Sequence, residues 1–142
     1  MLDERLVGCW SDEAIYQGNM EASDVAFRPD GAGWLLWMVV HAFSVHRFRW
    51  ETLDDQQIVL RWQGYLSGSW DGTYGAIRYH VDDRRQDRGK VALGYTVQAG
   101  QDVLRRPATL LEFSDRLKLG IAGPRYGFKR ALDGDEHDPV WD

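Results

Sequence analysis

The chain is short of several things, and each shortage removes a class of explanation. It has a single cysteine, Cys9, in 142 residues, so no intramolecular disulfide or thiolate metal cluster can hold it together. Beside the tryptophan at position 10, that thiol reads as a small buried hydrophobe rather than a nucleophile. Long apolar stretches are absent. The longest, Trp34 to Val40, has seven residues, far below the roughly 20 needed to span a bilayer as a helix. The opening Met1-Leu2-Asp3-Glu4-Arg5 lacks the basic and apolar regions of a secretory signal, so a cytoplasmic protein is the expectation. Catalytic signatures are missing too. There is no phosphate-binding Gly-Lys-Ser/Thr, no dinucleotide fingerprint and no His-Glu-x-x-His. Gly68-Ser69-Trp70-Asp71-Gly72 displaces its serine from the nucleophile-elbow position, with no helix to follow. No catalytic residue is assigned, no cofactor is expected, and the chain reads as a non-enzyme.

Basic surplus is also lacking. All 17 Lys and Arg lie within residues 1–132 beside 17 of the 22 acidic residues, so the net charge of −5 belongs to Asp133, Asp135, Glu136, Asp138 and Asp142. A neutral body cannot displace phosphate counterions as a general nucleic-acid binder must. Nor does it offer a polybasic membrane anchor. Neither nucleic acid nor membrane is an expected partner. Residues 1–132 read as one domain and 133–142 as an acidic C-terminal tail. That tail is either a mobile solubilising extension or a strap whose Trp141 docks on a barrel surface, or on a neighbouring subunit, while its acids meet arginines there.

What the sequence does have is turn signals at short, regular intervals. Gly, Asp and Asn clusters recur at Gly18-Asn19, Asp30-Gly31, Asp54-Asp55, Gly64, Gly68, Asp71-Gly72, Asp82-Asp83, Gly89, Gly100 and Gly123-Pro124. The runs between them are rich in β-branched and aromatic residues, the signature of an antiparallel sandwich or barrel. Strands are predicted at Leu6–Ser11, Ala14–Gln17, Asp24–Arg28, Gly33–His41, Ser44–Leu53, Gln57–Gln63, Tyr74–Val81, Lys90–Gln98, Asp102–Phe113, Leu117–Ile121 and Arg125–Leu132. Pro107 should bend, interrupt or edge its strand. Asp3 to Gly8 can form one helical turn, and Asp82–Arg88 reads as a solvated loop.

Alternation assigns faces. Ile58, Leu60 and Trp62 share one side of their strand; Ile77, Tyr79 and Val81 share another; Val91, Leu93, Tyr95 and Val97 a third. These are one-sided strands, as antiparallel meanders have. The run Trp34–Val40 is apolar on both sides, so a terminal segment, a loop or a second subunit must cover its outer face.

Leu6-Val7-Gly8-Cys9-Trp10-Ser11 and Phe27-Arg28-Pro29-Asp30-Gly31-Ala32-Gly33, followed by Phe48-Arg49-Trp50 and Gln57-Ile58-Val59-Leu60, resemble the Gly-x-Trp opening and early hairpins of small bacterial lipocalin-like domains of the calycin superfamily. The resemblance covers residues 6–63 and the C-terminal strand. It implies an all-β, antiparallel up-and-down barrel of eight to ten strands. It also implies that Trp10 plugs one end while Arg130, with Arg125 in reserve, packs across the indole. The disulfides, signal peptide and Thr-Asp-Tyr segment of the secreted members are absent, which points to a distant or intracellular member.

His41, His46 and His80 could supply three metal-ligating nitrogens, but His80 shares the solvated face of Arg78, and surface or loop positions are expected for all; no metal site is assigned. Adjacent carboxylates such as Asp82-Asp83 point apart, and Glu112 is expected to pair with an arginine on a neighbouring strand. The seven Trp, six Tyr and five Phe exceed what a small core needs. They either fill the barrel or line a cavity, since a barrel of about eight strands can hold one small ligand. The cavity candidates are Trp50, Trp62, Tyr79 and Tyr95. Non-catalytic binding of a small, largely apolar ligand is therefore the leading expectation. The alternative is an interaction module with a filled barrel, acting as a homodimer through Trp34, Trp37 and Val39.

Overall fold

The computed structural model describes residues 2–14, 21–54, 56–73, 76–118 and 122–141. Within them the β-branched and aromatic runs form nine antiparallel strands: β1 Gly8–Ser11, β2 Ala22–Phe27, β3 Ala32–Val39, β4 Ala42–Asp54, β5 Gln57–Thr73, β6 Ala76–Gln86, β7 Lys90–Gln101, β8 Pro107–Phe113 and β9 Arg125–Arg130. A 3₁₀ turn at Glu4–Leu6 occupies the expected helical position, and a second spans Asp12–Ala14. The candidate strand 14–17 and much of 117–121 lie outside the described residues; Lys118 and Ala122 form an isolated bridge. Among the described residues no helix is long and apolar enough to cross a membrane.

The strands close into a ring. Sequential neighbours pair from β1 to β5, β5 then pairs with β7, and β7, β8 and β9 lead back to β1. The odd member is β6. Strand β5 is long enough to serve two partners on one edge: Gln57–Arg61 ladder with β7, while Gly64–Thr73 ladder with β6. Its other edge runs along β4 from Asp54↔Gln57 to Ala42↔Ser69. The β5–β6 hairpin therefore projects beyond the ring.

Several expectations change here. Gly64, Gly68 and Asp71-Gly72 are not turns, because β5 runs through them. Gly68 sits at a bulge where an added Cβ would lie 1.8 Å from the His80 carbonyl oxygen; the glycine permits a close backbone approach rather than a reversal. Likewise Asp82–Gln86 continues β6 instead of forming a loop, since an exposed strand edge accepts alternating charges. Pro107 falls at the first residue of β8, where no ladder donor is needed.

The wall β2–β3–β4 packs on both faces. Val25, Phe27, Leu35, Phe48 and Trp50 point into the ring and join Trp10, Ile58, Leu60, Trp62, Leu93, Tyr95 and Tyr126 in the main core. Ala26, Trp34, Phe43 and Val45 point outward and, with Leu66, nucleate a second cluster, joined by Leu36, Met38, Trp70, Tyr79, Val81, Leu132 and Val140. Each large side chain so buried contributes about 1.5–3 kcal/mol from removal of apolar surface from water. The outer face of the Trp34–Val40 run is thus partly covered by β6 and the C-terminal segment of the same chain.

That segment is held by specific contacts. Asp138, buried with its side chain 2% exposed, accepts Arg47 Nε at 2.7 Å and Nη2 at 3.2 Å. Glu136 takes Arg130 at 2.6 and 2.8 Å, and Arg28 reaches the His137 ring. Trp141 stacks on His137 with ring centroids 4.3 Å apart, and Arg47 lies 4.7 Å from its ring. Two acids of the tail, Glu136 and Asp138, have met arginines of the neutral body.

Candidate functional site

The middle of the ring is filled. Trp50 is 3% exposed and donates its indole N–H to the Arg28 and Ala32 carbonyls, both at 3.1 Å. The Trp62 ring meets Phe48 and His46 edge-on and lies under Lys118 Nζ at 4.2 Å. Tyr95 donates its hydroxyl to Asp3 at 2.6 Å; the neighbouring Arg5 guanidinium, more than this bond, holds that carboxyl at about 2. These three aromatics share the main core. Tyr79 lies apart on β6, edge-on to Phe43 at 4.9 Å in the second cluster. The four cavity candidates therefore do not converge on one site.

Trp10, 1% exposed, anchors its indole N–H on the Leu6 carbonyl at 2.9 Å. Among the described residues it is Phe128, not Arg130, that meets its ring, edge-on at 5.3 Å. The register explains the correction. Arg130 pairs with Cys9, whose side chain faces away from that of Trp10, and its guanidinium is taken by Glu136. Gly8, at φ +139°, has Phe128 Cε2 2.7 Å from where a Cβ would stand, which is why glycine opens the Gly-x-Trp motif. Cys9 is buried, and burial first of all pushes its thiol up to about 11, leaving it inert at neutral pH. Glu112 approaches Arg125 of β9 at 3.6 Å.

His46 departs from its expected surface position. It is 6% exposed, contacts Ser44 Oγ through Nε2 at 3.1 Å, and leaves Nδ1 buried without a partner. Burial above all, reinforced by Lys118 and opposed by Asp87, pulls its pKa down to about 4. It borders a 550 Å³ recess with Trp37, Ser44, Tyr65, Ser67 and Lys118. Much of the polar lining is already paired internally: Ser44 with His46, Tyr65 with Ser67 at 3.0 Å, and Lys118 with Asp87 at 2.7 Å outside the recess. No group of three or more His, Cys, Asp or Glu among the described residues is placed to hold a metal.

A second concavity is chemically different. It holds about 480 Å³ on the outer face of β2 and β3, within the roughly 300–1,000 Å³ of small-molecule sites. Its floor is Ala22, Leu36 and Met38, which the pairing Ala22↔Met38 and Asp24↔Leu36 sets side by side. The far wall is Val39 and Val40 at the end of β3, with Trp70, Ile77 and Tyr79 carried there by the projecting β5–β6 hairpin. Trp70 is locked by its indole N–H, which donates to Val39 at 2.8 Å and Ala42 at 3.1 Å. Tyr79 reaches the Met38 sulfur at 3.8 Å, and burial leads the rise in its phenol pKa. The near wall is polar: Glu13, Glu21, Asp24 and Lys129.

Alternation located Tyr79 on an apolar face but could not say that this face closes on the outside of the ring. Leu36, Met38 and Trp70 line the groove without standing among the candidates the sequence offers. The signal for two of them was the doubly apolar run Trp34–Val40, whose uncovered remainder forms the floor.

Fold and groove together define an all-β protein whose antiparallel ring carries an external, half-apolar groove. Compared with known proteins, the chain matches no family model, no curated protein and no solved structure.

Proposed function

We propose that this protein binds a small, largely apolar ligand without transforming it, in the external groove rather than within the ring. The observation carrying the reading is the 480 Å³ concavity floored by Leu36 and Met38 and walled by Trp70, Ile77 and Tyr79, beside an interior already packed with side chains. Ile77 and Val40 remain 49% and 51% exposed there, apolar surface that a ligand would remove from water. The reading is compatible with a lipocalin-like barrel of the calycin type, for which the Gly8-Cys9-Trp10 opening, the Asp30-Gly31 hairpin and the up-and-down order are the support. It differs from the interior site that such a barrel suggests.

A neutral solvatochromic dye such as Nile red tests it. The wild-type protein should bind the dye with a blue shift. Ala22→Trp, which fills the floor, should weaken binding at least tenfold while leaving the melting temperature within a few degrees. Unchanged binding would place the dye elsewhere and remove the groove as the site.

The filled interior also favours a second reading, an interaction module with a homodimer through Trp34, Trp37 and Val39. Trp34, 5% exposed beneath its own chain, is not available to such an interface as it stands, while Trp37 is half-buried and donates to Glu21 at 3.2 Å. Native mass spectrometry separates the two readings: a retained small molecule on a monomer supports the groove, and a ligand-free dimer supports the interface.

A further inference from the structure

Resting on the groove reading, we propose that the ligand carries a cationic head group: an amine, primary to quaternary, on an apolar chain or ring. The two walls of the groove differ in kind. On the near wall, three carboxylates, Glu13, Glu21 and Asp24, face a single ammonium, Lys129. Lys129 Nζ takes Asp24 Oδ2 at 2.9 Å, and the other oxygen, Asp24 Oδ1, is buried with no hydrogen-bond partner. A buried carboxylate oxygen left unpaired is costly, and the field of a cation seated in the groove offsets part of that cost without a direct contact. Glu13 and Glu21 are exposed at the rim, where they add attraction without needing to be desolvated first.

On the far wall, Trp70 and Tyr79 offer aromatic rings. The indole N–H of Trp70 is already spent on backbone carbonyls, so what remains is the π system, which attracts cations and repels anions. His41 is the other titratable side chain on this wall. An amine seated between the walls meets carboxylates on one side and aromatic rings on the other, with its apolar body over Leu36 and Met38.

Neighbouring groups register the negative field. Asp12, just behind the near wall, is raised to about 6, first by burial and then by Asp24, Glu13 and Glu21, against the Ser23 N–H it accepts at 2.8 Å. Burial works against the charged form of Lys129, yet Asp24 and Glu13 hold its pKa above the ordinary lysine value.

The test uses three amphiphiles with the same ten-carbon chain, each below its critical micelle concentration: decyltrimethylammonium, decyl maltoside and decyl sulfate. Affinities are read by calorimetry at low salt and at 0.5 M NaCl. The cation should bind at least tenfold tighter than the neutral amphiphile, with decyl sulfate weakest. Salt should erase most of that margin. The exposed pair Glu13→Gln/Glu21→Gln should erase it too, bringing the cation's affinity down to that of decyl maltoside on the same variant. Asp24→Asn is the stronger lesion, and the rim pair keeps the test valid if that variant does not fold. Equal binding of cation and neutral amphiphile, preference for the sulfate, or a cation preference indifferent to the carboxylate variants would overturn the head-group inference and leave the groove standing. If none of the three binds, the groove reading itself falls.

Discussion

His46 is the residue whose chemistry is most altered by its surroundings. Its neighbours in sequence alternate, and Arg47 points to the tail while His46 turns towards Ser44 and Tyr65. With a folded pKa near 4 and an unfolded one near 6.5, the unfolded chain binds the extra proton first. Stability contributed by the neutral ring is complete above pH 6.5 and is lost as pH falls through 4, by up to about 3 kcal/mol. Urea midpoints measured between pH 7 and pH 4 should therefore fall steeply, and in His46→Gln the slope over that window should flatten. An identical slope in the variant would assign the acid sensitivity to other groups.

At the scale of the elements, the hairpin β5–β6 makes the groove, and Gly68 makes the hairpin. With the His80 oxygen 1.8 Å from any added Cβ, Gly68→Ala must push β6 away from β5. A loss of about 1–3 kcal/mol is expected, as for other overpacked sites, together with weaker dye binding, because Ile77 and Tyr79 move with β6. Thermal melts and the Nile red titration check both parts. The same glycine shows where sequence reasoning stops. Period-two patterns placed Ile58, Leu60, Trp62, Leu93 and Tyr95 on one face each, and all five are in the main core. That information is local to a strand. Whether a glycine marks a turn or a close approach depends on the strand across from it, which the one-dimensional pattern does not contain. The groove was half legible for a related reason: a doubly apolar β3 announced a covered outer face, but the partial coverage that leaves a cavity is set by how far β6 and the tail extend over it.

On the scale of the whole molecule, the tail is part of the second cluster. Asp138 sits with its side chain 2% exposed against Arg47 at 21%, and Val140 packs on the cluster beside Leu132. Removing residues 133–142 leaves Arg47 without its carboxylate and uncovers apolar surface around Trp34. Breaking one side of a buried pair costs about 3–5 kcal/mol in enclosed settings; with Arg47 partly in solvent, about 2–3 kcal/mol is the expected loss. Asp138→Asn should reproduce most of it. A truncated protein that melts like the full chain would show that the strap contributes no stability. Sequence composition had already isolated the charge of these ten residues; their destination was set by Arg28 just past β2, Arg47 on β4 and Arg130 on β9, which composition counts but does not place.

The doubly buried wall β2–β3–β4 has a consequence for how the chain finds its fold. In an ordinary meander, slipping one strand by one residue throws apolar side chains into water and is rejected on that account. Strand β3 enjoys no such protection, because Leu35 on one side and Trp34, Leu36 and Met38 on the other would simply exchange cores. Alignment there has to be dictated from the ends of the strand: by Gly31 at φ +89°, by Asp30 capping the Ala32 N–H at 3.0 Å, and by His41 held at φ +64°. These turn residues act as proofreaders of strand alignment, so their lesions should surface as misfolded, aggregating chains rather than as a mildly weakened native state.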